Sequence, residues 1–387
     1  MNWPTAALAE VAEIVSGGTP KSDVREYWDG GVPWVTPKDL SALTGSYIEE
    51  TPRTISKLGL EKSSASLLPA NSVLFSSRAP IGHVAINSVP MATNQGFKSF
   101  VPFPERLNAK YLYHWLRKNR AYLESLGNGA TFKEVSKAVV SAIEIPLPPL
   151  PEQRRIAAIL DHAEALRVKR REAIVRLDEL IGATFSDIFG DGSIVEQTRS
   201  VGDVCSLVVD CVNKTAPTVD FPTPYRMIRT SNVRNARVDL ESVRYVTADV
   251  FDRWTRRVLP VPGDVLLTRE APVGEVGLLE ESGRVFLGQR LMLYRADPQY
   301  LVPDYLLYAL KSPFVQRQFG RFESGSTVKH LSVPVCRQLE VPVPEIGVQH
   351  EFAERIACIR GLATKAQGQD VNALFNALQS RAFRGEL

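Results

Sequence analysis

The chain has 387 residues, which at roughly 100–200 residues per domain predicts two or three domains. Hydrophobic residues make up 44% and charged residues 23%, a globular composition that excludes a chain dominated by disorder. Lys and Arg total 46 against 43 Asp and Glu, a net charge of +3, which excludes a polybasic nucleic-acid carrier. The opening MNWPTAALAEVAEIV has no basic start followed by a long apolar core, so a signal peptide is not expected. No stretch approaches the ~18–20 apolar residues of a membrane helix. Cys205, Cys211, Cys336 and Cys358 form no C-x-x-C pair, and reduced thiols in a cytoplasmic protein are the expectation.

In chain order, Gly17-Gly18-Thr19-Pro20-Lys21-Ser22 looks like a phosphate loop. It lacks the spacing, and Pro20 removes an N–H that such a cradle needs, so it reads as a turn. Ser72–Ser76, after the turn Leu68-Pro69-Ala70-Asn71, predicts a short strand. Tyr111–Leu126 predicts an amphipathic helix. Residues 1–145 thus read as a mixed α/β globule large enough to bury its own core.

Residues 146–190 are different. Pro146-Leu147-Pro148-Pro149-Leu150-Pro151 is a rigid extended lead-in, because Pro fixes φ and biases its predecessor away from helix. A helix is predicted from Gln153 to about Ile188, with Ile156, Ile159, Ala163, Leu166, Ala173, Leu177, Leu180 and Thr184 as its stripe at 3-4 spacing, broken chiefly at Arg170. Residues 191–340 repeat the globule: strand Asp264–Thr268 after Val261-Pro262-Gly263, then helix Asp304–Phe319. Residues 341–387 repeat the helix, over Gly347–Phe383, with Phe352, Ile356, Ile359, Leu362, Leu374 and Leu378 as its stripe. Two such helices are expected to bury their stripes against each other. Both helical segments hold equal numbers of basic and acidic residues. The run Arg167-Val168-Lys169-Arg170-Arg171 therefore reads as a solvated face or subunit contact rather than a DNA-backbone contact.

Internal similarity organises the whole chain. Leu8-Ala9-Glu10-Val11 resembles Val201-Gly202-Asp203-Val204. Arg78-Ala79-Pro80-Ile81-Gly82 resembles Arg269-Glu270-Ala271-Pro272-Val273-Gly274, with one residue slipped at the Arg. Tyr111–Leu116 resembles Tyr305–Leu310, Gly129–Ser136 resembles Gly325–Ser332, and Ile143–Pro148 resembles Leu339–Pro344. The blocks keep their order at spacings of 192 to 196 residues. The fold class expected is α+β: two similar mixed α/β domains, each followed by a long α-helix, with the two helices packed as an antiparallel coiled-coil spacer.

No ATP loop, G-x-S-x-G elbow, H-E-x-x-H or G-x-G-x-x-G is present. His83 and His330 have no second ligand at metal spacing and read as core or loop residues. Without a nucleophile or an acid/base pair, the chain reads as a binder with no catalytic residue and no cofactor of its own. Its loops are rich in side chains that hydrogen-bond base edges and phosphates. In the first half these are Thr36 and Lys38, Ser76, Ser77 and Arg78, Asn94 and Gln95, and Thr131 and Lys133. In the second half they are Arg229, Thr230, Ser231 and Asn232 (placed like Thr36–Asp39), Thr268 and Arg269, Gln289 and Arg290, and Thr327 and Lys329. Two heads on stiff helices would touch two short half-sites on one duplex.

The segment Ile145–Leu160, IPLPPLPEQRRIAAIL, resembles the central conserved region of the specificity subunits of type I restriction-modification systems. Ile14–Pro20, Ser77–Gly82, Asn94–Phe97 and Gly129–Lys133 resemble the same family, and the resemblance runs the full length. In the second half Glu345–His350 stands in place of the Pro-Leu-Pro-Glu-Gln-Arg block, keeping only Gln349, and Leu287–Arg290 stands in place of Thr93–Gly96. The resemblance implies two target-recognition domains, each reading one part of a split, asymmetric double-stranded DNA site. It implies helices that bind methyltransferase subunits, two of them, with restriction (helicase-nuclease) subunits added. S-adenosylmethionine, ATP and Mg²⁺ would belong to those partners. Gln153, Arg154, Arg155, Arg167, Lys169, Arg170 and Gln349 are the partner-facing candidates. A two-headed adaptor that joins proteins without touching DNA, and an enzyme with an unrecognised site, remain as alternatives.

Overall fold

The structure, a computed structural model, describes residues 3–78, 80–128, 133–190, 197–212, 214–281, 283–322, 330–367 and 371–387. Its contacts divide the chain into two units: residues 1–169 with 370–387, and residues 170–369. Five helices matter below: α1 (Ala109–Lys118), α2 (Leu150–Phe189), α3 (Pro303–Lys311), α4 (Ile346–Gln367) and α5 (Val371–Arg384). The first unit therefore holds the start of α2 and all of α5. The second holds the end of α2 and all of α4.

In the first unit a five-stranded sheet runs in the order Ala12–Ser16, Lys98–Pro102, Val73–Phe75, Val84–Asn87, Tyr47–Ile48. A small sheet places Trp28–Val35 between Thr54–Ile55 and Ala92–Thr93. The central strand Val73-Leu74-Phe75 is buried on both faces, as a strand without polar alternation must be. Val73 and Phe75 join the core that holds Tyr111, Leu112 and Leu116 of α1. Leu74 points the other way, among Val35, Leu40, Met91 and Phe97. This is the period-2 alternation of a pleated strand.

The second unit repeats this order, with Cys205–Asp210, Leu291–Ala296, Val265–Arg269 and Val273–Leu278, then Ala236–Val238 and Val233–Arg234 at the edge. Its small sheet places Arg226–Ile228 between Arg244–Tyr245 and Val285–Leu287. Val265 and Leu267 face α3, and Leu266 faces the other core. The duplication reaches single atoms. Tyr111 Oη donates to the Pro146 carbonyl at 2.8 Å, and Tyr305 Oη donates to the Pro342 carbonyl at 2.9 Å. Gly82 and Gly274, from the repeated Ala-Pro-x-Gly turn, both have left-handed φ, +91° and +88°, which a side chain would oppose.

The predicted helices differ from the observed ones at their ends. The predicted Tyr111–Leu126 helix is two helices, α1 and Arg120–Ser125, parted at Asn119. The predicted Asp304–Phe319 helix is α3 followed by Pro313–Phe322. Ser312 is extended there, with ψ 151°, because Pro313 disfavours helical geometry in the residue before it. The predicted tail helix is α4 and α5. The predicted central helix is observed as one helix of 40 residues.

Each globule holds its helices by the same means. In the first unit, α1 presents Lys110, His114 and Arg117 to α2. Lys110 Nζ and His114 Nε2 lie 3.1 and 2.8 Å from the Asp161 carboxylate, and Arg117 lies 3.7 Å from Glu164. Phe383 of α5 packs on Tyr111, with ring centroids 5.3 Å apart. In the second unit, Arg360 of α4 pairs with Asp304 of α3. Phe185 and Phe189 of α2 pack on Tyr305 at 5.7 and 4.9 Å.

Candidate nucleic-acid interface

The polar rim is built twice from one plan. Thr36 caps the helix Pro37–Ser41: its backbone N–H donates to Asp39 Oδ2 at 2.7 Å. At the matching place Arg229 N–H donates to Asn232 Oδ1 at 3.0 Å. The correspondence of Thr36–Asp39 with Arg229–Asn232 is therefore structural. Lys38 and Ser231 are exposed, and Thr36, Arg229 and Thr230 are half-buried. Asn232, expected at the interface, is instead buried, and its Nδ2 donates to the Ser242 carbonyl at 3.0 Å.

Ser76, Ser77 and Thr268, expected as contact residues, are fully buried. Ser76 Oγ donates to the Pro80 carbonyl and accepts from His83 N–H, both at 2.8 Å. Thr268 Oγ1 accepts from Glu275 N–H at 2.9 Å. These hydroxyls close the turn that follows the central strand. Ser77 Oγ donates to the Gly96 carbonyl at 3.2 Å.

The slipped arginine has a large consequence. Ser77 N–H donates to the Gly96 carbonyl and Val135 N–H to the Ser77 carbonyl, each at 2.8 Å. Arg269 N–H donates to the Arg290 carbonyl at 2.8 Å and Leu331 N–H to the Arg269 carbonyl at 2.9 Å. Arg269 therefore occupies the place of Ser77, and Glu270 that of Arg78. Neighbouring strand residues point to opposite faces, so a slip of one position reverses the side chain. The Arg269 guanidinium is turned to the Leu331 carbonyl, 3.0 Å away, and is not the second-half equivalent of exposed Arg78.

Arg78 bonds Glu134 through Nε and Nη2 at 3.0 and 2.6 Å, and Lys98 reaches the same carboxylate at 3.3 Å. Burial pushes the Glu134 carboxyl up, but the hydrogen bonds from Arg78 and Lys98 outweigh it and hold it below its ordinary value. In the second unit the polarity of this cluster is reversed. Glu270 stands where Arg78 stands, and its partner, at 3.2 Å, is Arg290. Arg290 is exposed and sits at φ +71°, in the left-handed region.

Asn94 is half-buried, and its Oδ1 accepts from Gly96 N–H at 2.9 Å, shaping the loop. Gln95 beside it is exposed, and its Oε1 accepts from the Thr19 hydroxyl. Gln289 Oε1 accepts from the Thr215 hydroxyl at 3.2 Å, so Gln289 is the counterpart of Gln95. Lys133 is exposed. Thr131, Thr327 and Lys329 lie outside the described residues. Sequence reasoning missed Thr19, Thr215, Glu134 and Glu270. Comparing the two halves through Gly18-Thr19-Pro20 and Lys214-Thr215-Ala216 would have raised the threonines.

Several partner-facing candidates are also turned inward. Gln153 is fully buried: its Nε2 donates to the Arg106 and Pro148 carbonyls at 2.9 Å, and its Oε1 accepts from Asn108 N–H at 2.9 Å. Gln349 makes the same three bonds, to Tyr300, Pro344 and Val302, at 2.8, 2.9 and 3.0 Å. Both glutamines fasten a helix start to its own globule. Arg167 donates to Asn372 Oδ1 at 2.6 Å and lies 4.4 Å over the Phe375 ring. Arg170 donates to the Ala366 carbonyl. Arg154, Arg155 and Lys169 are exposed, with Arg155 paired to Glu152 at 2.8 Å. Among the described residues no group of three or more His, Cys, Asp or Glu is placed to hold a metal ion, and no helix is long and apolar enough to cross a membrane.

Two like α+β modules, each carrying a polar rim and each fastened to long helices, make up the chain. Residues 1–175 match the family described as type I restriction modification DNA specificity domain. The chain is 32% identical over 192 residues to the type I restriction enzyme MjaIX specificity subunit of Methanocaldococcus jannaschii, covering 49% of this chain and 44% of that protein. It is 29% identical over 187 residues to the EcoR124I/EcoR124II specificity subunit of Escherichia coli, covering 46% and 45%. The matched stretch thus spans less than half the length of either relative. A solved structure from a study of assembly and conformational transition of the type I R-M system shares the fold across 100% of this chain and 98% of its own, with TM-score 0.59 at 18% identity.

Proposed function

We propose that this chain is the specificity subunit of a type I restriction-modification assembly, with each module reading one part of a split double-stranded DNA site. The observation that carries the reading is the polar rim, whose helix cap and threonine–glutamine loop recur in both modules on a matching scaffold. The rims differ where selectivity would lie: Arg78 with Glu134 in one, Glu270 with Arg290 in the other. Two unlike half-sites follow. Lys38, Arg78, Gln95 and Lys133 in the first module, and Thr230, Ser231, Gln289 and Arg290 in the second, are the residues that would touch DNA on this reading. A net charge of +3 limits the phosphate contribution from this chain, so affinity would come in part from partner subunits.

The helices form the antiparallel spacer of this reading. In the second unit Arg170 meets Ala366 and Phe185 meets Phe352, so sequence rises along α2 as it falls along α4, which supports that arrangement. Methyltransferase subunits would dock on the helical faces that carry Arg154, Arg155 and Lys169, and restriction subunits would join them. S-adenosylmethionine, ATP and Mg²⁺ would stay with those partners. The test is to assemble the chain with the methyltransferase of its system and select from randomised duplexes. A two-part consensus is the expected result. A bound pool without any sequence preference would overturn the reading in favour of a protein-joining adaptor.

A further inference from the structure

The two rim arginines are already engaged by carboxylates, Arg78 by Glu134 at 2.6 Å and Arg290 by Glu270 at 3.2 Å. A cation neutralised within its own protein offers a phosphate less than a free one. Another arginine recurs beside each rim without such a partner. In the first unit's small sheet Pro33 pairs with Thr54, and Trp34 N–H donates to the Arg53 carbonyl at 3.1 Å. In the second unit's small sheet Arg226 pairs with Tyr245 and Met227 with Arg244. Trp34 and Met227 hold one place. Each lies two residues before its rim cap, Thr36 and Arg229. Each also pairs, at Ala92 and Phe286, with the strand that leads to the rim glutamine. Arg53 and Arg244 therefore hold one place as well. Both are exposed, and among the described residues neither guanidinium has an ion pair or a hydrogen bond.

Arg53 is also held in position. Its guanidinium lies over the Trp28 ring, 3.9 Å from the centroid, and 5.2 Å from that of Trp34. The Trp34 indole N–H donates to the Gly18 carbonyl at 3.0 Å, and the Trp28 indole N–H to the Lys21 carbonyl at 3.1 Å. The two rings that carry Arg53 thus also hold the loop that brings Thr19 to Gln95. Attraction to a ring face fixes the guanidinium and leaves its N–H fork for phosphate oxygens. In the second unit the Ser242 carbonyl, which accepts from Asn232 Nδ2 of the rim at 3.0 Å, stands two residues before Arg244. We propose that Arg53 and Arg244 are a matched pair of phosphate-backbone contacts, one flanking each rim, which seat the modules on the duplex without reading bases. This rests on the DNA-reading function above.

The test is the salt dependence of duplex binding by the chain assembled with its methyltransferase, on the selected sequence and on an unrelated one. Arg53→Met keeps an apolar cover on the indoles and removes the charge. Arg53→Met and Arg244→Met should each make the slope of log affinity against log salt shallower by about 0.9, and the double variant by about 1.8. The deficit of a single variant should accordingly shrink about threefold between about 50 and about 200 mM salt. Both duplexes should be weakened alike, with the selected consensus unchanged. Arg53→Lys, which keeps the charge, should retain the wild-type slope. An unchanged slope in Arg53→Met, with the two-part consensus intact, would make Arg53 a cover for Trp28 and overturn the inference alone. So would a changed consensus at one position, which marks a base contact, or lost assembly with the methyltransferase, which marks a protein contact. A wild-type assembly that binds no duplex overturns the inference together with the function beneath it.

Discussion

At the scale of single residues, one buried glutamine fastens each helix start to its globule. Gln153 and Gln349 each satisfy two carbonyls and one N–H inside the protein. Removing such a side chain leaves buried groups unpaired at about 1–3 kcal/mol each. Gln153→Ala should therefore cost the first unit roughly 3 kcal/mol and Gln349→Ala the second a similar amount, less whatever water recovers. Hydrogen exchange resolved by unit would check it, and losses below about 0.5 kcal/mol would place the fastening elsewhere. Asp161 gives a pH-dependent counterpart. Burial pushes its carboxyl up, but hydrogen bonds and charge from His114 and Lys110 prevail and hold it below its ordinary value. A depressed carboxylate stabilises the fold above its unfolded value, about 3.9 for Asp, and that stability disappears as pH falls through the folded value. The carboxylate is 38% exposed, so solvent screening limits the pair to about 1 kcal/mol. Wild type should exceed Asp161→Asn in stability at neutral pH, and acid denaturation curves should show the gap closing as the medium is acidified. A gap that widens in acid would reverse the assignment.

At the scale of elements, the repeat was legible because backbone-defining residues recur: Pro before the central strand, Gly82 and Gly274 in the turn, Tyr111 and Tyr305 in the helix. What side chains do at the rim was less legible. Ser76, Thr268 and Asn232 have interface chemistry, but their hydroxyls and amide serve the turn and the cap, which composition cannot distinguish. Arg269 does not match Arg78 because the one-residue slip, visible in the motif itself, reverses the side chain in a strand, a consequence that pairing by residue type leaves out. The helices were legible from their Pro lead-ins and 3-4 pattern, but Leu166, Leu180, Leu362 and Leu374 of the stripes expected to be buried are exposed, and the partners of Arg167 and Arg170 lie 205 and 196 residues away in the chain. Those partners matter for any change in helix length. Seven residues inserted after Ala165, with seven more after the facing Asn372, add about 10.5 Å and keep nearly the same helical face. The spacer between selected half-sites should then grow by about three base pairs. Insertion in α2 alone should break the Arg167–Asn372 contact and lower stability without a clean change of spacing. Paired insertion that leaves the spacer unchanged would mean that the helices do not set it.

At the scale of the whole molecule, the first unit is not continuous in sequence. Its globule and the start of α2 are completed by residues 370–387. Phe375, Ala382 and Phe383 of α5 are buried in the same core as Tyr111, Leu116, Ile156 and Leu160, and Lys118 lies 5.5 Å over the Phe383 ring. A chain cut after residue 369 therefore exposes part of the first unit's core but keeps every residue of the second. Truncating one buried phenylalanine costs about 3–5 kcal/mol, so losing two with their helix should exceed the whole stability of a typical domain's margin in the least favourable case. The truncated chain should show a lowered or absent transition for the first unit and an unchanged one for the second. A synthetic peptide of residues 370–387, added in trans, should restore the first transition in a concentration-dependent way, because it binds the folded form. Phe383→Ala in that peptide should weaken the rescue, since its ring sits 5.3 Å from Tyr111 at the centre of the contact. A truncated chain whose first unit melts like wild type would show that the tail decorates that core without completing it.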